Sequence, residues 1–564
     1  MIKYSQIIKN NKELLNNIGG NKYKIAILSN IMVHQSREVC EYYLRKEGIK
    51  AIVELGEYDN IVQDTTRFQD VSAVIIFWEV YNIIDGLEYK IETLVENEID
   101  NLIDKVKKEI DIVLHNLKNT SLILINKFSS LVFTQHELKT SKIDFVVKEL
   151  NRYLETKHNI TLIDIEKVIA GLSIDKSVDY RYYNSSKTLY SIDFYKHYFE
   201  HICPIFLSAN GKIKKALIFD CDNTLWKGIL GEDGFDKIKV YQKVQYLALS
   251  LVKKGVILGL CSKNNSQDVD EVLEKHHDMI LRDEHIVIKK INWENKVINL
   301  KAIAKELNIG LDSLVFIDDS NFEVNLIKEE LPTVEVFQVP SKEYEYEMMM
   351  RKIAMFFHNP KETTEDLKKG KMYKTQVARS QAEKSIGNIE DYLKSLELQI
   401  TTYIDDLNHV ARISQMTQKT NQFNLTTKRY TETDINFFIN SSNYTVIAIG
   451  ISDKFGDNGI VGLAILEHQN DLVSIDTLLM SCRVLGRNIE YKFMDIIIEV
   501  LKQKKVTKIE ANYIETLKNE QVSDLYDRCG FEMVDKCDEL KRYSILVQQY
   551  KNKSIDYIGV NNGK

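Results

Sequence analysis

The sequence predicts a multidomain α/β protein, and three observations support this. The chain has 564 residues, 44% of them hydrophobic, so it is long enough to bury several cores. From Lys24 to about Pro340, short apolar runs alternate with amphipathic stretches, a pattern typical of parallel sheets covered by helices. From Leu398 onward, long β stretches precede a helix, which indicates an α+β unit.

Changes in this pattern divide the chain, because only four prolines and 23 glycines punctuate it. We predict an α/β domain at 1–208, a second α/β domain at 209–340, a helical connector at 341–396, an α+β domain at 397–550 and a loose tail at 551–564.

The predicted elements follow from the apolar runs in order. The first domain has the strands KIAILS, AIVELG, SAVIIFW and SLILIN. The second has strand KALIFD, a helix around Val240–Lys254, strand VILGLCS, a helix around Ser266–His276 and strand SLVFID. The third has strands TVIAIGIS, GIVGLAILE and LVSIDTLLM before a helix at about Ile489–Lys502.

Charge, cysteine spacing and apolar segments indicate which partners and which cellular compartment to expect. The 75 basic and 82 acidic side chains give a net charge of −7 and a pI near 6.0, which argues against a nucleic-acid-binding protein. Seven scattered cysteines without CxxC spacing favour reduced thiols in the cytoplasm. The N-terminus lacks a signal-peptide core, and the longest apolar stretch, Val71–Ile84, is too short for a membrane helix.

The residues most informative about chemistry are Asp220-Cys221-Asp222-Asn223-Thr224, directly after the apolar strand ALIF. Carboxylates at the carboxyl end of such a strand reach the crevice where α/β sheets bind ligands. One aspartate would act as a nucleophile and the other as an acid/base. The alternative is an aspartate-rich turn that caps the next helix.

Three further motifs follow in an order that suits phosphoryl chemistry. Ser262 ends the strand VILGLCS, Lys296 lies in WENK, and Asp318-Asp319 end the strand SLVFIDD. A phosphoryl site needs a carboxylate to attack phosphorus, a hydroxyl and an ammonium for the oxygens, and acids to hold Mg²⁺.

Together these motifs resemble the haloacid dehalogenase (HAD) superfamily of aspartate-nucleophile phosphatases. The resemblance implies a Rossmann-like parallel sheet, Asp220 as nucleophile and Asp222 as acid/base, with Ser262 and Lys296 completing the catalytic set. It also implies Mg²⁺ held by Asp220, the backbone carbonyl of Asp222, and Asp318 or Asp319.

Neighbouring polar residues are candidates for binding phosphate oxygens. Thr224, Lys263 and Asn264 lie beside the motifs, although Lys263 and Asn264 would equally well cap the next helix. The intervals between the motifs have no room for a lid domain. The predicted site is therefore open to a group tethered to another macromolecule, or to a small substrate covered by neighbouring domains.

Longer strings resemble the FkbH-like branch of that superfamily (subfamily IIIC) over nearly the whole chain. They are LIFDCDNTLWKGILGEDG, GLCSKNN, FIDDSNFE, RISQMTQKTNQFNLTTKRYTE, DKFGDNGIVG and SCRVLGRNIE. The N-terminal third matches more weakly. The resemblance implies an SGNH-like N-terminal domain and a GNAT-like C-terminal domain around the HAD domain.

This resemblance implies a glyceryltransferase/phosphatase. Such enzymes take the glyceryl group of 1,3-bisphosphoglycerate, remove both phosphates and load the acyl unit on the phosphopantetheine thiol of an acyl carrier protein. Cys261, beside Ser262, is a candidate to carry a transient thioester. Alternation along the strand would instead turn Cys261 away from the site. The alternatives are a phosphatase of a phosphorylated small molecule and a non-catalytic scaffold that docks a carrier protein.

The outer domains depart from the patterns of their relatives. The first strand ends AILSNIM without the GDS block of SGNH hydrolases, and Asp193 to His197 has DxxxH spacing, so Ser29 and His197 suit a degenerate domain better than an esterase. In the third domain, Arg483, Gly486 and Arg487 open a predicted helix, but Asn488 stands where the acetyltransferase pattern has a small residue. The alternatives are binding of the phosphopantetheine arm at the helix N-terminus and a purely structural domain.

Overall fold

A computed structural model of the chain describes residues 2–19, 21–358, 370, 372–379, 382, 388–516, 518–537, 539–553 and 555–562. It confirms a mixed α/β fold with parallel sheets. The chain forms two compact units, one of residues 1–210 with 429–434 and one of residues 211–428 with 435–564.

The first unit contains a five-stranded parallel sheet in the order β2-β1-β3-β4-β5. Its strands are β1 (Tyr23–Ser29), β2 (Ala51–Leu55), β3 (Ala73–Phe77), β4 (Leu122–Asn126) and β5 (Thr161–Ile163). Strands β3 and β4 are buried along their whole length, because apolar clusters cover the sheet on both faces.

Eleven helices of the described residues surround this sheet. They are α1 (Tyr4–Asn17), α2 (Ser36–Lys46), α3 (Ile61–Arg67), α4 (Leu87–Lys90), α5 (Glu96–Asn116), α6 (Leu131–Thr134), α7 (Lys142–Glu155), α8 (Ile165–Leu172), α9 (Ile174–Ser177), α10 (Tyr180–Ser186) and α11 (Ile192–Ala209).

The second unit begins with another five-stranded parallel sheet, in the order β10-β9-β6-β11-β12. The strands are β6 (Ala216–Phe219), β9 (Ile257–Ser262), β10 (Ile288–Ile291), β11 (Leu314–Asp318) and β12 (Glu335–Gln338). Its helices are α13 (Gln242–Lys253), α14 (Ser266–Lys275), α15 (Lys296–Leu307), α16 (Asn321–Glu330) and α17 (Glu343–Met355). A small antiparallel hairpin, β7 (Trp226–Lys227) and β8 (Lys239–Val240), encloses α12 (Leu230–Asp233) beyond the end of β6.

The second unit also contains an eight-stranded sheet in the order β18-β19-β17-β16-β15-β14-β13-β20. Its strands are β13 (Gln399–Ile404), β14 (Tyr444–Asp453), β15 (Gly456–Gln469), β16 (Leu472–Met480), β17 (Lys508–Ile514), β18 (Glu532–Cys537), β19 (Leu540–Leu546) and β20 (Gly559–Asn562). The remaining helices are α18 (Ile389–Ser395), α19 (Val410–Lys419), α20 (Glu432–Asn440), α21 (Ile489–Gln503) and α22 (Leu525–Arg528).

The outcome differs for two predicted segments, the helical connector at 341–396 and the loose tail at 551–564. The connector at 341–396 contains α17 and α18, residues 372–379 are also helical, and the rest of the prediction lies outside the described residues. In the predicted loose tail, β20 pairs in parallel with β13. The prediction of a loose tail was wrong there, because β20 supplies hydrogen-bond partners to an edge strand that would otherwise lack them.

Among the described residues, no helix combines the length and the apolar character needed to cross a lipid bilayer.

Candidate active site

Three adjacent parallel strands bring the central predicted residues together. Asp220 follows β6, Ser262 ends β9 and Asp318 ends β11, and these strands are direct neighbours in the sheet. The backbone N–H of Asp220 donates to the carbonyl of Ile317 (2.9 Å), which fixes the start of the loop after β6. The three side chains therefore meet at the carboxyl edge of the sheet, where α/β folds bind ligands.

Lys296 lies between two of these carboxylates. Its Nζ is 2.6 Å from Asp318 Oδ2 and 3.1 Å from Asp220 Oδ1, and all three side chains are almost fully buried. Burial alone would lower the pKa of the Lys296 ammonium, but the charges of Asp220 and Asp318 outweigh that effect and raise it. Lys296 is therefore a permanent cation at neutral pH.

Asp220, Asp318 and Asp319 form an acidic group that suits a divalent cation. One oxygen from each carboxylate lies within 4.8 Å of the others. Burial raises the pKa of all three, and the neighbouring carboxylate charge raises those of Asp318 and Asp319 further. With Lys296 present, the ionised group carries a net charge of −2. Its oxygen donors and this uncompensated charge fit Mg²⁺.

Asp222 does not join this acidic group through its side chain. Its Oδ1 accepts hydrogen bonds from Trp226 Nε1 (2.9 Å) and the backbone N–H of Leu230 (3.0 Å), and its Oδ2 accepts one from Asn264 Nδ2 (3.0 Å). Three donors hold the carboxylate in one orientation. The predicted metal contact of Asp222 is through its backbone carbonyl, and this contact stays a prediction.

The turn after Asp222 explains why the hairpin β7–β8 folds over this region. Asn223 has a left-handed φ of 51°, and its Oδ1 accepts from the backbone N–H of Gly228 (3.0 Å), which itself has φ 108°. Asparagine tolerates this conformation better than most residues. The turn directs the chain back so that Trp226 and Leu230 reach Asp222.

The three predicted phosphate-binding side chains have different positions. Thr224 is fully buried, and its carbonyl accepts from the Tyr346 hydroxyl (3.0 Å). Its role in phosphate binding stays a prediction. Asn264 contacts Asp222. Lys263 is partly exposed, and its Nζ lies 2.6 Å from Glu323 Oε1, so it is oriented by an acid that the sequence analysis did not single out.

Cys261 packs away from the acidic group. Its side chain is fully buried in an apolar cluster with Ile218, Val297 and Phe316. Burial raises the pKa of its thiol well above the ordinary value, and Lys296 offsets this only in part. This position corresponds to the alternative in which alternation turns Cys261 away from the site. Its role as an acyl carrier therefore stays a prediction.

Ser262 lies at the site, unlike its neighbour. Its side chain is buried, and hydrogen bonding to it lowers the pKa of Asp220 against the effect of burial. The carbonyl of Ser262 accepts from the backbone N–H of Asn292 (3.1 Å). The hydroxyl is thus held beside the proposed nucleophile.

The predicted phosphopantetheine loop has its guanidinium groups already engaged. Arg483 and Arg487 are buried; Arg483 Nε donates to Ser481 Oγ (3.2 Å), and Arg487 Nη2 donates to Gln376 Oε1 (2.7 Å). Gly486 has φ 80° and is exposed, so it serves the turn before α21. Binding of a phosphopantetheine arm here stays a prediction.

The adjacent strands leave no open slot for such an arm. Strands β16 and β17 pair in parallel only from Leu472 to Ile475 on β16, and beyond this point residues 423–425 lie between them. The backbone N–H of Leu425 donates to the carbonyl of Leu478 (3.1 Å), and the backbone N–H of Ile514 donates to the carbonyl of Leu425 (2.8 Å). The chain itself therefore occupies the gap between these strands.

Four contacts that shape the site were not predicted from the sequence. They are made by Asn223, Trp226, Leu230 and Glu323. These residues lie within the strings LIFDCDNTLWKGILGEDG and FIDDSNFE. The contacts depend on a left-handed turn and a hairpin, which no hydrophobic period reveals.

A solved structure supports the fold. The N-terminal part of BF1531 from Bacteroides fragilis, which contains a phosphatase domain and was crystallised with Mg, matches with a TM-score of 0.55. The match has 21% identity and covers 64% of this chain and 100% of that chain. This similarity establishes the fold and nothing further. No protein-family model matches the chain, and no curated protein matches its sequence.

Acetyltransferase structures match with much lower scores. The ribosomal-protein-S18-alanine N-acetyltransferase from Escherichia coli has a TM-score of 0.22 and 10% identity, over 27% of this chain and 97% of that chain. The spermidine N-acetyltransferase from Vibrio cholerae, in complex with CoA and spermine, has a TM-score of 0.23 and 15% identity, over 27% and 98%. TM-scores this low carry no weight for the fold or activity of this chain.

Proposed function

We propose that the chain is a Mg²⁺-dependent phosphatase with Asp220 as its nucleophile. The observation that carries this proposal is the cluster of Asp220, Asp318 and Asp319, in which the buried carboxylates of Asp220 and Asp318 flank the ammonium of Lys296. Such a group combines a carboxylate nucleophile, a fixed cation and donors for a hard metal ion in one place. The BF1531 structure, with its phosphatase domain and bound Mg, is consistent with this chemistry.

Each residue has a definite part in the reaction. An oxygen of the Asp220 carboxylate attacks phosphorus, the new oxygen–phosphorus bond forms, and the bond from phosphorus to the leaving oxygen breaks. Lys296 and the Ser262 hydroxyl hold phosphoryl oxygens. Bound Mg²⁺ would neutralise negative charge on the phosphoryl group and bring it against Asp220. Water then attacks the aspartyl phosphate, which restores the Asp220 carboxylate and releases phosphate.

Asp222 supplies and recovers the proton in these two steps. Protonated, it gives a proton to the leaving oxygen; ionised, it takes one from the attacking water. Trp226 and Leu230 fix one of its oxygens, and Asn264 donates to the other. The second oxygen exchanges its Asn264 hydrogen bond for substrate. The hairpin β7–β8 thus positions the acid/base without blocking it.

Phosphate release from p-nitrophenyl phosphate and from phosphorylated three-carbon acids tests this function. Wild-type protein with Mg²⁺ should release phosphate, and both EDTA and Asp220→Asn should abolish the release. Asp278→Asn is the matched control, because Asp278 lies in the same domain but in the separate His276-His277-Asp278 group. Release that is independent of Asp220 would overturn the proposal.

We further propose glyceryl transfer to an acyl carrier protein, with 1,3-bisphosphoglycerate as donor. The family resemblance of the motif strings supports it, and so does the openness of the site. All residues from Asp222 to Lys296 are described, and between β6 and β9 they form only a hairpin, the short helix α12 and helix α13. A phosphopantetheine arm would therefore meet no lid domain built from this segment.

The transfer requires two different bond cleavages. A thiolate attacks the acyl carbon of the mixed anhydride, so that a carbon–sulfur bond forms and the acyl phosphate leaves. The terminal phosphate ester is cleaved by Asp220 as described above. Cys261 is the predicted first thiol, after which the carrier thiol attacks the thioester and frees Cys261. Because Cys261 is buried, acylation requires the end of β9 to open; direct attack by the carrier thiol needs no such movement.

Intact-protein mass spectrometry separates these routes. Wild type and Cys261→Ala are incubated with Mg²⁺ and enzymatically generated 1,3-bisphosphoglycerate, then with a holo carrier protein. A glyceryl adduct on wild type alone, discharged by the carrier, supports the Cys261 route. Loading of the carrier by both variants supports direct attack. Phosphate release without loading leaves the phosphatase alone, and carrier binding without phosphate release indicates a docking scaffold.

A further inference from the structure

A cavity lies at the opposite edge of the central sheet from the candidate active site. Its volume is about 150 Å³, and its wall includes the residues just before three strands: Lys215 before β6, Val256 before β9 and Ser313 before β11. The other side of the wall comes from α19, the loop after β16 and Lys518. The cavity therefore lies where the central sheet meets the eight-stranded domain within the second unit.

The cavity wall is strongly basic. The central domain contributes Lys212, Lys214, Lys215 and Lys254. The C-terminal domain contributes Arg412, Lys419, Arg483 and Lys518. Among the described residues of the wall there is one carboxylate beside these eight cations, that of Asp312, which pairs with the Lys518 ammonium. A cavity surrounded by this many cationic side chains has a positive potential that would favour an anion inside it.

Lys215 is a charged side chain in the cavity wall on the side of the central sheet. It is only partly exposed at the start of β6, and its backbone N–H donates to the carbonyl of Ser313 (2.7 Å). The acidic groups nearby, first Cys482 and then Tyr373 and Asp312, outweigh burial and raise the pKa of its ammonium. Lys215 therefore keeps its charge at neutral pH although the protein partly removes it from water.

Size and donor chemistry define the class of ligand. A volume of about 150 Å³ is below the roughly 300–1,000 Å³ of pockets that hold drug-sized molecules, so a nucleotide does not fit. Ammonium and guanidinium groups pair best with tetrahedral or planar oxyanions that have several acceptor oxygens. We propose that this basic cavity binds a small phosphate-bearing anion and so links the central sheet to the C-terminal domain.

The cavity wall also contains a thiol that reports on occupancy. Cys482 is partly exposed and lines the cavity, whereas Cys537 is exposed on β18 and lies outside it. Alkylation of both cysteines by iodoacetamide, followed by peptide mass spectrometry, gives a cavity signal and an internal control from one sample. The measurement is made in EDTA with Asp220→Asn protein, so that turnover at the candidate active site does not contribute.

Inorganic phosphate and 3-phosphoglycerate are the probes. We expect either probe to slow Cys482 alkylation at least about fivefold in a saturable manner and to leave Cys537 unchanged. Protection by the ester alone assigns a phosphate ester, and protection by both assigns the phosphate group itself. Absence of protection, equal protection of both cysteines, or equal protection by sulfate would overturn the proposal.

Variants of Lys215 locate the effect. Lys215→Gln should raise the probe concentration needed for half-protection about tenfold, which corresponds to about 1.4 kcal/mol. Lys215→Arg should keep the affinity near the wild-type value, and Lys243→Gln, on exposed α13, is the matched control. Equilibrium dialysis of the same variants with radiolabelled phosphate measures binding directly and does not depend on alkylation of Cys482. Equal binding by Lys215→Gln in that assay would contradict the proposal.

Discussion

The chain carries two five-stranded parallel sheets, and each has a buried carboxylate at its carboxyl edge. In the central sheet, Asp220 and Asp318 lie around Lys296. In the first unit, Glu79 follows β3 without a cation in contact among the described residues. The strand orders differ, but parallel strands place polar groups at the same kind of edge in both sheets. Among the described residues of these two edges, the central one combines opposite charges with a third carboxylate.

The Glu79 edge is arranged as a hydrogen-bonded network. Glu79 Oε1 accepts from the Tyr190 hydroxyl (2.8 Å), and the Asn30 side chain exchanges two hydrogen bonds with the Glu79 backbone (2.7 and 2.8 Å). Burial raises the pKa of Glu79 to about 7, and the Tyr190 hydrogen bond offsets this only in part. At this edge, hydrogen bonds from Tyr190 and Asn30 therefore hold a single carboxyl group in place.

The residues that would make the first unit an esterase are placed for other tasks. Ser29 Oγ accepts from the backbone N–H of Ile31 (3.0 Å), and His197 lies against Gly171 of α8. In the described residues of the first unit, no three metal-ligating side chains come as close as Asp220, Asp318 and Asp319 do. The comparison teaches that charge balance at the strand ends, more than the sheet itself, decides where chemistry is possible.

The largest expected effect is on phosphate release, when the carboxylate of Asp220 at the central edge is replaced by an amide and compared with the same change at Glu79. Asp220→Asn should lower phosphate release at least about 10³-fold, because it removes the attacking oxygen. Glu79→Gln should leave the rate within about twofold. Steady-state kinetics with Mg²⁺ on both variants measures this contrast, and a comparable loss in Glu79→Gln would break it.

Removal of the central cation should cost stability. Lys296→Met leaves buried carboxylates without their counter-charge, which costs about 3 kcal/mol. Thermal unfolding of wild type and Lys296→Met in EDTA measures the loss. Lys243→Gln, an exposed lysine of α13, is the control and should unfold with wild type. An unchanged unfolding temperature for Lys296→Met would show that the ammonium does not balance the acidic group.

Mg²⁺ should stabilise the protein in a pH-dependent way. Asp220, Asp318 and Asp319 have raised pKa values, so their contribution to stability is complete at low pH and is lost as pH rises through those values. A Mg²⁺ concentration of 100 times its Kd at pH 7.5 should stabilise the protein by about 2.7 kcal/mol. The same concentration should stabilise it less at pH 5, because protons compete for the carboxylates and raise the Kd. Thermal shift with Mg²⁺ at both pH values tests this, and Asp318→Asn should weaken the shift.

The smallest expected effect concerns Glu79. Because the pKa of Glu79 is raised, Glu79 stabilises the folded protein fully at pH values below the ordinary glutamate pKa. This contribution is lost as the pH rises through about 7. The first unit should therefore lose about 1 kcal/mol between pH 6 and pH 8. Glu79→Gln should unfold without that dependence while Glu57→Gln, an exposed glutamate, keeps it. Urea unfolding at both pH values, followed by hydrogen exchange in β3, measures the difference.

Much of the fold followed from hydrophobic periodicity. The helix predicted around Ser266–His276 is α14, Ser266–Lys275, and the strand VILGLCS became β9. A helix and a strand were expected between Ser262 and Lys296, and the strand is β10. The short strand β12 was not predicted, because Glu335–Gln338 carries polar residues that break the apolar pattern. Strand β20 was missed because its pairing with β13 is long-range.

Less of the site could be read from the sequence. Strand ends predicted the meeting of Asp220, Ser262 and Asp318, because parallel neighbours share one edge. The direction in which Cys261 points depends on alternation within β9, and the sequence left both alternatives open. The hydrogen bonds from the hairpin to Asp222 depend on the positive φ of Asn223. A hydrophobic pattern in the sequence does not reveal that backbone conformation.

The most direct test of Asp220 as nucleophile is to trap its phosphoryl intermediate. Asp222→Asn protein is incubated with Mg²⁺ and acetyl phosphate, quenched, reduced with borohydride and digested. Because reduction converts an aspartyl phosphate to homoserine, peptide mass spectrometry reads the modified position. The account predicts homoserine at position 220 that is absent in EDTA. Phosphate release with Asp220 unmodified, or modification of another residue in its place, would contradict it.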